Sequence, residues 1–408
     1  MINNDQKRQL SEILGATGKT LGITKAQYEA AVASYQFVGD WLCRPGSPLA
    51  PFHPEILPQG SFLLGTMNQP VHTDDDMDVD LVCRIDGKLP WWAQVDLKNA
   101  VGDWLKAHGT LKKMLDKEGR RCWTLLYRES VRFHMDILPA IVANNFKVLL
   151  EKAMSESDTS KIAELAIRIT DRHLSNYRTV VNPDFWLKSN PFGYAIWFKQ
   201  RSAVTRYKIF TLNEAVQPVP AYEEDRSPLQ QVVLILKRHR DIMFNGDADK
   251  PISIIITTLA ALAYNGEDDI FDALNNVVSG VERFIVNRYD PVQQRTIKWI
   301  ANPVNQEENF ADKWVAEPQK QANFYRWLQQ VKDDIASIVQ RHGGLPLIKE
   351  GLSRMFGETQ MNEAFAAMGD QALKTRVSGG LKMAAGTGML SEFGRTPVTH
   401  HNNFGSNE

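Results

Sequence analysis

The chain has 408 residues, 43% of them hydrophobic, enough for two domains with cores of their own. Charge is balanced at 47 basic against 48 acidic residues, a formal net of −1, so composition gives no strong nucleic-acid-binding signal. Three cysteines, Cys43, Cys83 and Cys122, are scattered through apolar sequence, which argues against a disulfide framework or a zinc site and reads as reduced thiols in a cytoplasmic protein. No signal peptide is expected, and the longest apolar run, Ile252 to Tyr264, is too short to span a bilayer.

Residues 5–43 read as helix, with apolar positions at Leu10, Ile13, Leu14 and Leu21 and then at Tyr28, Ala31, Tyr35, Val38 and Trp41. Gly22-Ile23-Thr24 marks a break, with Thr24 as the cap. Pro45 to Pro58 is a proline-rich connector. Gly60-Ser61 then opens a helix-like segment, where backbone N–H groups freed of side-chain bulk form a ready anion site. The dipeptide draws its weight from its place before an acidic strand. Asp74-Asp75-Asp76 reads as a solvated acidic turn, and Met77-Asp78-Val79-Asp80-Leu81-Val82 alternates with period two, as a strand does. On a strand Asp78 and Asp80 project together while Val79 and Leu81 enter the core. Neighbouring carboxylates repel unless a cation lies between them. Mg²⁺ suits such a place, since it is usually held by one or two carboxylates plus substrate phosphates. The plainer alternative is an edge strand kept soluble by its acids.

Leu89 to Leu115 reads as a helix whose tryptophans, Trp91, Trp92 and Trp104, serve core packing. Cys122–Tyr127 and Val131–Leu138 form a hairpin across Arg128-Glu129-Ser130. In its second arm Phe133, Met135 and Ile137 point inward, His134, Asp136 and Leu138 face the other way, and Pro139 is expected to end the strand. Asp136 is thus a third acid on a neighbouring strand, which completes what two-metal phosphoryl transfer needs. Helical patterns come next at Asn145–Ser155 and Thr159–His173, with an amphipathic segment at Gly193–Arg206. Acid- and proline-rich sequence from Gln217 to Pro228 marks a boundary. Beyond it, Leu229–Met243 is strongly amphipathic, and Lys250-Pro251-Ile252-Ser253 starts another helix, with proline and serine suiting its first turn. Phe271–Val286, Val292–Ala301, Asn309–Trp314 and Pro318–His342 are expected to complete a helical lobe. From Gly343 the sequence is small, Met- and Gly-rich. After Gly386 it reads as a flexible tail, whose His400-His401 lacks partner ligands for a metal.

The order Gly-Ser, Asp-Val-Asp, then a third Asp in Met135-Asp136-Ile137-Leu138-Pro139 resembles the nucleotidyltransferase superfamily of DNA polymerase β. Within it the chain is similar to the bacterial cGAS/DncV-like nucleotidyltransferases (CD-NTases), which make cyclic oligonucleotide signals in anti-phage defence. Ser189 to Phe198, and Asn302-Pro303-Val304-Asn305 with Asn309-Phe310-Ala311 shortly after it, resemble further signatures of that family, with Asn302 where Asp is usual. The likeness covers roughly residues 1–345 by motif order.

The resemblance implies an α/β (α+β) bilobed core with a mixed sheet and a helical C-terminal lobe. Its divisions are a nucleotidyltransferase core at 1–215 with a bracing N-terminal helix, a helical lobe at 216–385, and a tail at 386–408. It implies synthesis of a cyclic di- or trinucleotide from NTPs, ATP and/or GTP, with pyrophosphate release. Two Mg²⁺ ions (or Mn²⁺) would be held by Asp78, Asp80 and Asp136, with Asp136 beside the acceptor hydroxyl. Gly60, Ser61, Lys237 and Ser253 match positions that bind the donor triphosphate, although a surface lysine and a helix cap would read the same way. The family further implies a ubiquitin-like ligase acting on the C-terminal tail, while the short apolar runs of the sequence itself give no membrane partner. A linear template-independent transferase and a catalytically inactive scaffold remain as alternatives.

Overall fold

The computed structural model describes residues 4–72, 74–128, 131–142, 162–202, 222, 224–291, 293–340, 345–383, 390–391 and 395–398. The chain begins with two helices, α1 (Asn4–Leu21) and α2 (Lys25–Cys43). Thr24 caps the second: its Oγ1 accepts from the Gln27 N–H at 3.2 Å, and the Gln27 side chain accepts from the Thr24 N–H at 2.8 Å. This reciprocal box satisfies two N–H groups that the first helical turn leaves without partners.

The central sheet comprises β1 (Glu55–Gln59), β2 (Met77–Ile85), β3 (Trp123–Tyr127), β4 (Phe133–Ile141), β5 (Ile167–Ile169) and β6 (Leu187–Ser189). Its order is β1-β2-β4-β5-β6, with β3 also paired to β4. β2 and β4 run parallel and the remaining pairs antiparallel, so the sheet is mixed. The parallel register places Asp78 opposite His134 and Asp80 opposite Asp136. Because the side-chain period is two, this pairing commits all four to one face; a slip of one residue would break up the site. Met77, Val79, Phe133, Met135 and Ile137 are buried on the other face, as alternation predicts.

Pro139 does not end β4; the strand runs on to Ile141. The proline sits at a seam, for the β3 ladder stops at Ile137 and the β5 ladder starts at Ala140. A residue without an N–H is tolerated where no ladder partner calls on it. The helix expected from Leu89 begins at Gln94 and is divided into α4 (Gln94–Ala107) and α5 (Gly109–Met114). Trp91 lies outside it and is 68% exposed, while Trp104 stacks on Trp41 with ring centroids 4.9 Å apart.

One hydrophobic core fills the sheet face toward α2 and α4. A larger core joins the opposite face to α1 and to a helical lobe. That lobe includes α6 (Pro191–Arg201), α7 (Pro228–Phe244), α8 (Ser253–Ala263), α9 (Ile270–Gly280) and α10 (Pro318–Gln340). Pro251 precedes α8 rather than entering it, since the helix starts at Ser253. The described residues of Val292–Ala301 are not helical. They contribute β8 (Arg295–Trp299), paired with β7 (Val286–Asp290), and lead into the hairpin of β9 (Ala301–Asn302) and β10 (Asn305–Asn309). The Arg-Thr-Ile-Lys-Trp run alternates with period two, which favours strand over helix.

Beyond Gly343 the small-residue sequence forms α11 (Leu345–Phe356) and α12 (Glu358–Val377), and α12 packs along α1. Leu390–Ser391 and Thr396–Pro397 pair with Lys382–Met383 in a small sheet inside the stretch read as a tail. Asn145–Ser155, the start of Thr159–His173, Glu129-Ser130, the end of Gly193–Arg206, half of Gln217–Pro228, His400-His401 and the final residues lie outside the described residues. The three cysteines are free, and burial pushes the Cys43 and Cys122 thiols up to about 12. Among the described residues, no helix is long and apolar enough to cross a membrane.

Candidate active site

Asp78, Asp80 and Asp136 stand on one face of β2 and β4 because the strand period and the parallel register leave them no other place. Asp80 is half-buried, and desolvation together with the charges of Asp136 and Asp78 raises its pKa to about 7; Lys237 opposes the shift. The Asp78 side chain is 80% exposed, yet it sits within the cleft. Partial desolvation there, joined by Asp136, still raises its pKa against the pull of His134. Asp136 accepts a hydrogen bond from the Thr124 hydroxyl, its cross-strand neighbour on β3.

Asp76 is not the solvated turn residue its sequence neighbours suggest. It accepts from Arg132 Nε at 2.8 Å and lies 2.8 Å from His134 Nε2, while His134 Nδ1 is 3.8 Å from Asp78 Oδ1. Desolvation works against its charge, but the Arg132 hydrogen bond and charge, helped by His134, hold its carboxyl below the usual range. Asp74 and Asp75 are exposed, as expected.

Gly60 opens the short helix α3 (Gly60–Leu64) with φ +62°, in the left-handed region. A Cβ there would run into Asp80 Oδ2. Glycine is therefore required twice over, by its backbone angle and by the carboxylate pressed against it. Ser61 comes next and lines the same cavity.

That cavity, of about 890 Å³, also receives Asp78, Asp80, His134, Lys237, Arg240, Lys250 and Ser253. Lys237 is buried on α7 and donates to the Thr66 carbonyl at 2.8 Å. Burial, reinforced by Arg240, lowers its pKa to about 8. Ser253 Oγ accepts from Arg240 Nη1 at 2.9 Å, which leaves its own hydroxyl hydrogen to donate elsewhere. The structure thus brings Gly60, Ser61, Lys237 and Ser253 to one cavity with Asp78 and Asp80. Sequence reasoning missed Arg240 and Lys250. Arg240 comes three residues after Lys237, and that spacing on a helix puts both on one face. Thr124 and His134 were also missed, and their signal was the register itself.

Residues 54–139 match the family described as cyclic GMP-AMP synthase DncV-like, nucleotidyltransferase domain. The match contains all three acids and the Gly60-Ser61 pair. Residues 54–139 thus carry a DncV-like nucleotidyltransferase domain. This nucleotidyltransferase is 25% identical over 384 residues to a c-di-GMP synthase of Roseivirga ehrenbergii, covering 93% of this chain and 92% of that protein. It is 22% identical over 374 residues to the cyclic dinucleotide synthase CdnG of Bradyrhizobium diazoefficiens, covering 88% and 83%. The solved structure of the B. diazoefficiens CD-NTase CdnG in complex with GTP shares its fold, with TM-score 0.64 and 18% identity over 88% of this chain and 99% of that one.

DncV-like nucleotidyltransferases are metal-dependent, and the donors present fit a hard cation. They are carboxylate oxygens, and Asp78 and Asp136 set their negative charges near the Asp80 carboxylate, which burial already disfavours. Among the described residues, no three His, Cys, Asp or Glu side chains converge to cage an ion on their own. An open set suits a cation that takes one or two carboxylates and completes its shell with phosphate oxygens.

Proposed function

We propose that the protein makes a cyclic dinucleotide from nucleoside triphosphates, with pyrophosphate release, using two Mg²⁺ ions held at Asp78, Asp80 and Asp136. The observation that carries this reading is the β2/β4 register, which sets Asp80 beside Asp136 next to a cavity lined by Ser61 and Lys237. The name of the c-di-GMP synthase relative and the GTP in the CdnG complex favour guanine nucleotides as substrates. By the family likeness, the product would serve as a second messenger in anti-phage signalling.

Bound Mg²⁺ would neutralise triphosphate charge and make the acceptor hydroxyl easier to deprotonate. The chain's own residues do the rest. Gly60 and Ser61 approach the donor phosphates with backbone N–H and hydroxyl groups. Lys237, Arg240 and Lys250 supply charge-assisted hydrogen bonds, and Ser253 adds a hydroxyl donor. Asp136, with one oxygen engaged by Thr124, turns the other to the acceptor ribose hydroxyl and takes its proton as the ribose oxygen attacks the α-phosphorus. Pyrophosphate leaves, the linear intermediate turns over, and a second attack of the same kind closes the ring. The cavity lies toward the upper end of small-molecule sites in size, which suits two nucleotides at once.

The test is incubation of purified protein with all four NTPs and Mg²⁺, with products identified by mass spectrometry. Wild type should give a cyclic dinucleotide, and a folded Asp78→Asn/Asp80→Asn variant none. A purely linear product would reject cyclisation, and wild-type turnover by the variant would reject the site.

A further inference from the structure

The cavity has two chemically different ends, and α8 measures the distance between them. Ser253, its first residue, bonds Arg240 at the cationic end. Thr257, one turn and about 6 Å further on, still lines the cavity. Its neighbour Thr258 shares a 2.8 Å hydrogen bond with the Tyr194 hydroxyl, and the Tyr194 ring meets Phe310 edge-on at 6.3 Å. Phe310 lies two residues beyond Glu308, and Glu308 and Asn302 both line the cavity from the β9–β10 hairpin.

A carboxylate is out of place in a cavity built for triphosphate unless something there offers it hydrogens. Glu308 is positioned rather than loose. Asn302 is 4% exposed; its Nδ2 donates to Glu308 Oε2 at 2.7 Å, and its Oδ1 accepts from the Val304 N–H at 3.0 Å. The backbone bond fixes which way the amide points, and the amide fixes one oxygen of the acid. Among the described residues Glu308 Oε1 has no hydrogen-bond partner, and Oε2 keeps a second lone pair.

The nucleobases answer an acceptor-only group differently. Guanine presents N1–H and N2–H₂ side by side on its Watson–Crick edge. Adenine and cytosine each set one amino donor beside a ring nitrogen acceptor, and uracil sets one N–H between two carbonyl oxygens. Only guanine offers two adjacent donors, and a carboxylate repels the acceptor that every other base brings. Phe310 supplies an aromatic ring beside this edge, on which a base of any kind can stack.

We propose that Glu308, positioned by Asn302, is the residue that selects guanine at this end of the cavity. The inference rests on reading the cavity as a nucleoside triphosphate site. It names the contact that separates GTP from other NTPs.

Inosine triphosphate is the probe, because it keeps N1–H and lacks only the 2-amino group. Affinities of wild type, Glu308→Gln and Asn302→Asp for GTP, ITP and ATP are measured with Mg²⁺ by calorimetry. Wild type should bind GTP about tenfold to a hundredfold more tightly than ITP, since a site built for a donor rejects the analogue without it. Glu308→Gln should lose most of that ratio and gain on ATP, because an amide pairs one donor and one acceptor with adenine. Asn302→Asp, which sets a second carboxylate against Glu308, should lower GTP affinity with ITP less affected. Equal binding of GTP and ITP by wild type overturns the inference while leaving the nucleotide site standing. So does a Glu308→Gln variant that binds both more weakly by the same factor, the mark of a merely structural role. Failure of wild type to bind any NTP overturns the functional reading itself.

Discussion

Removing the charge of Asp80 should make the metal-free protein more stable. The pKa of Asp80 is raised from 3.8 to about 7, about three units. At 1.36 kcal/mol per unit, the ceiling on the cost of keeping it charged in the fold is about 4 kcal/mol. Water reaches the cleft and the three acids share the repulsion, so about 1–3 kcal/mol is the expected size. The sign is fixed by linkage: an acid whose folded pKa is raised holds its proton in the folded state after the unfolded chain has released it, so stability falls as pH rises. The penalty is complete above about pH 7, shrinks as pH drops through 7, and is gone near the unfolded value of 3.8. Denaturant unfolding of wild type and Asp80→Asn, with a chelator present at several values between pH 5 and 8, reads the difference directly. Asp80→Asn should be the more stable at pH 8, with the gap closing toward pH 5. Adding Mg²⁺ and a nucleoside triphosphate should reverse the order, because only wild type retains the ligand charge. A variant that is less stable than wild type at pH 8 without metal, or a gap that ignores pH, would refute the account of crowded carboxylates.

Asp136→Asn should keep most of its NTP affinity and lose at least a hundredfold in turnover, as removal of a positioned base does; equal loss of binding would show that Asp136 is chiefly a phosphate-side ligand. Lys237→Ala should weaken NTP binding about tenfold or more without lowering stability at pH 7, because this buried lysine already carries a charge that burial disfavours; unchanged NTP affinity would remove it from the site. Gly60→Ala should cost about 1–2 kcal/mol from the left-handed backbone alone and further displace Asp80, so stability and turnover should fall together. A stable, fully active Gly60→Ala protein would mean that the Asp80 carboxylate has room to move.

The acid-bearing face of β2 and β4 was readable because strands are strict. Alternation over Met77–Val82 and Phe133–Ile137 decides which side each residue takes, and a buried opposite face leaves no second solution. What alternation could not give was the register. Asp80 opposite Asp136 depends on the pairing of β2 with β4, strands far apart in sequence, and Thr124 across from Asp136 depends on the register of the β3–β4 hairpin. Thr124 and His134 therefore went unseen, though both stand on strands whose existence was plain.

The errors lie where two physical signals competed. Pro139 normally stops a strand, but that rule describes a hydrogen bond the chain must make, and at the seam between β3 and β5 none is demanded. Arg295–Trp299 has the alternation of a strand but lies in sequence between the long helices α9 and α10, so context and period point different ways. The consequence reaches the site: β8 leads directly into the β9–β10 hairpin, and Asn309 ties the two by accepting from the Ile300 N–H and donating to the Lys298 carbonyl. A helix over Val292–Ala301 would rise about 1.5 Å per residue where the strand rises more than 3 Å, and it would not carry Asn302 and Glu308 to the cavity on the same backbone path. The extended conformation of that short segment thus helps decide whether the cavity that holds Ser61 and Lys237 also receives Glu308.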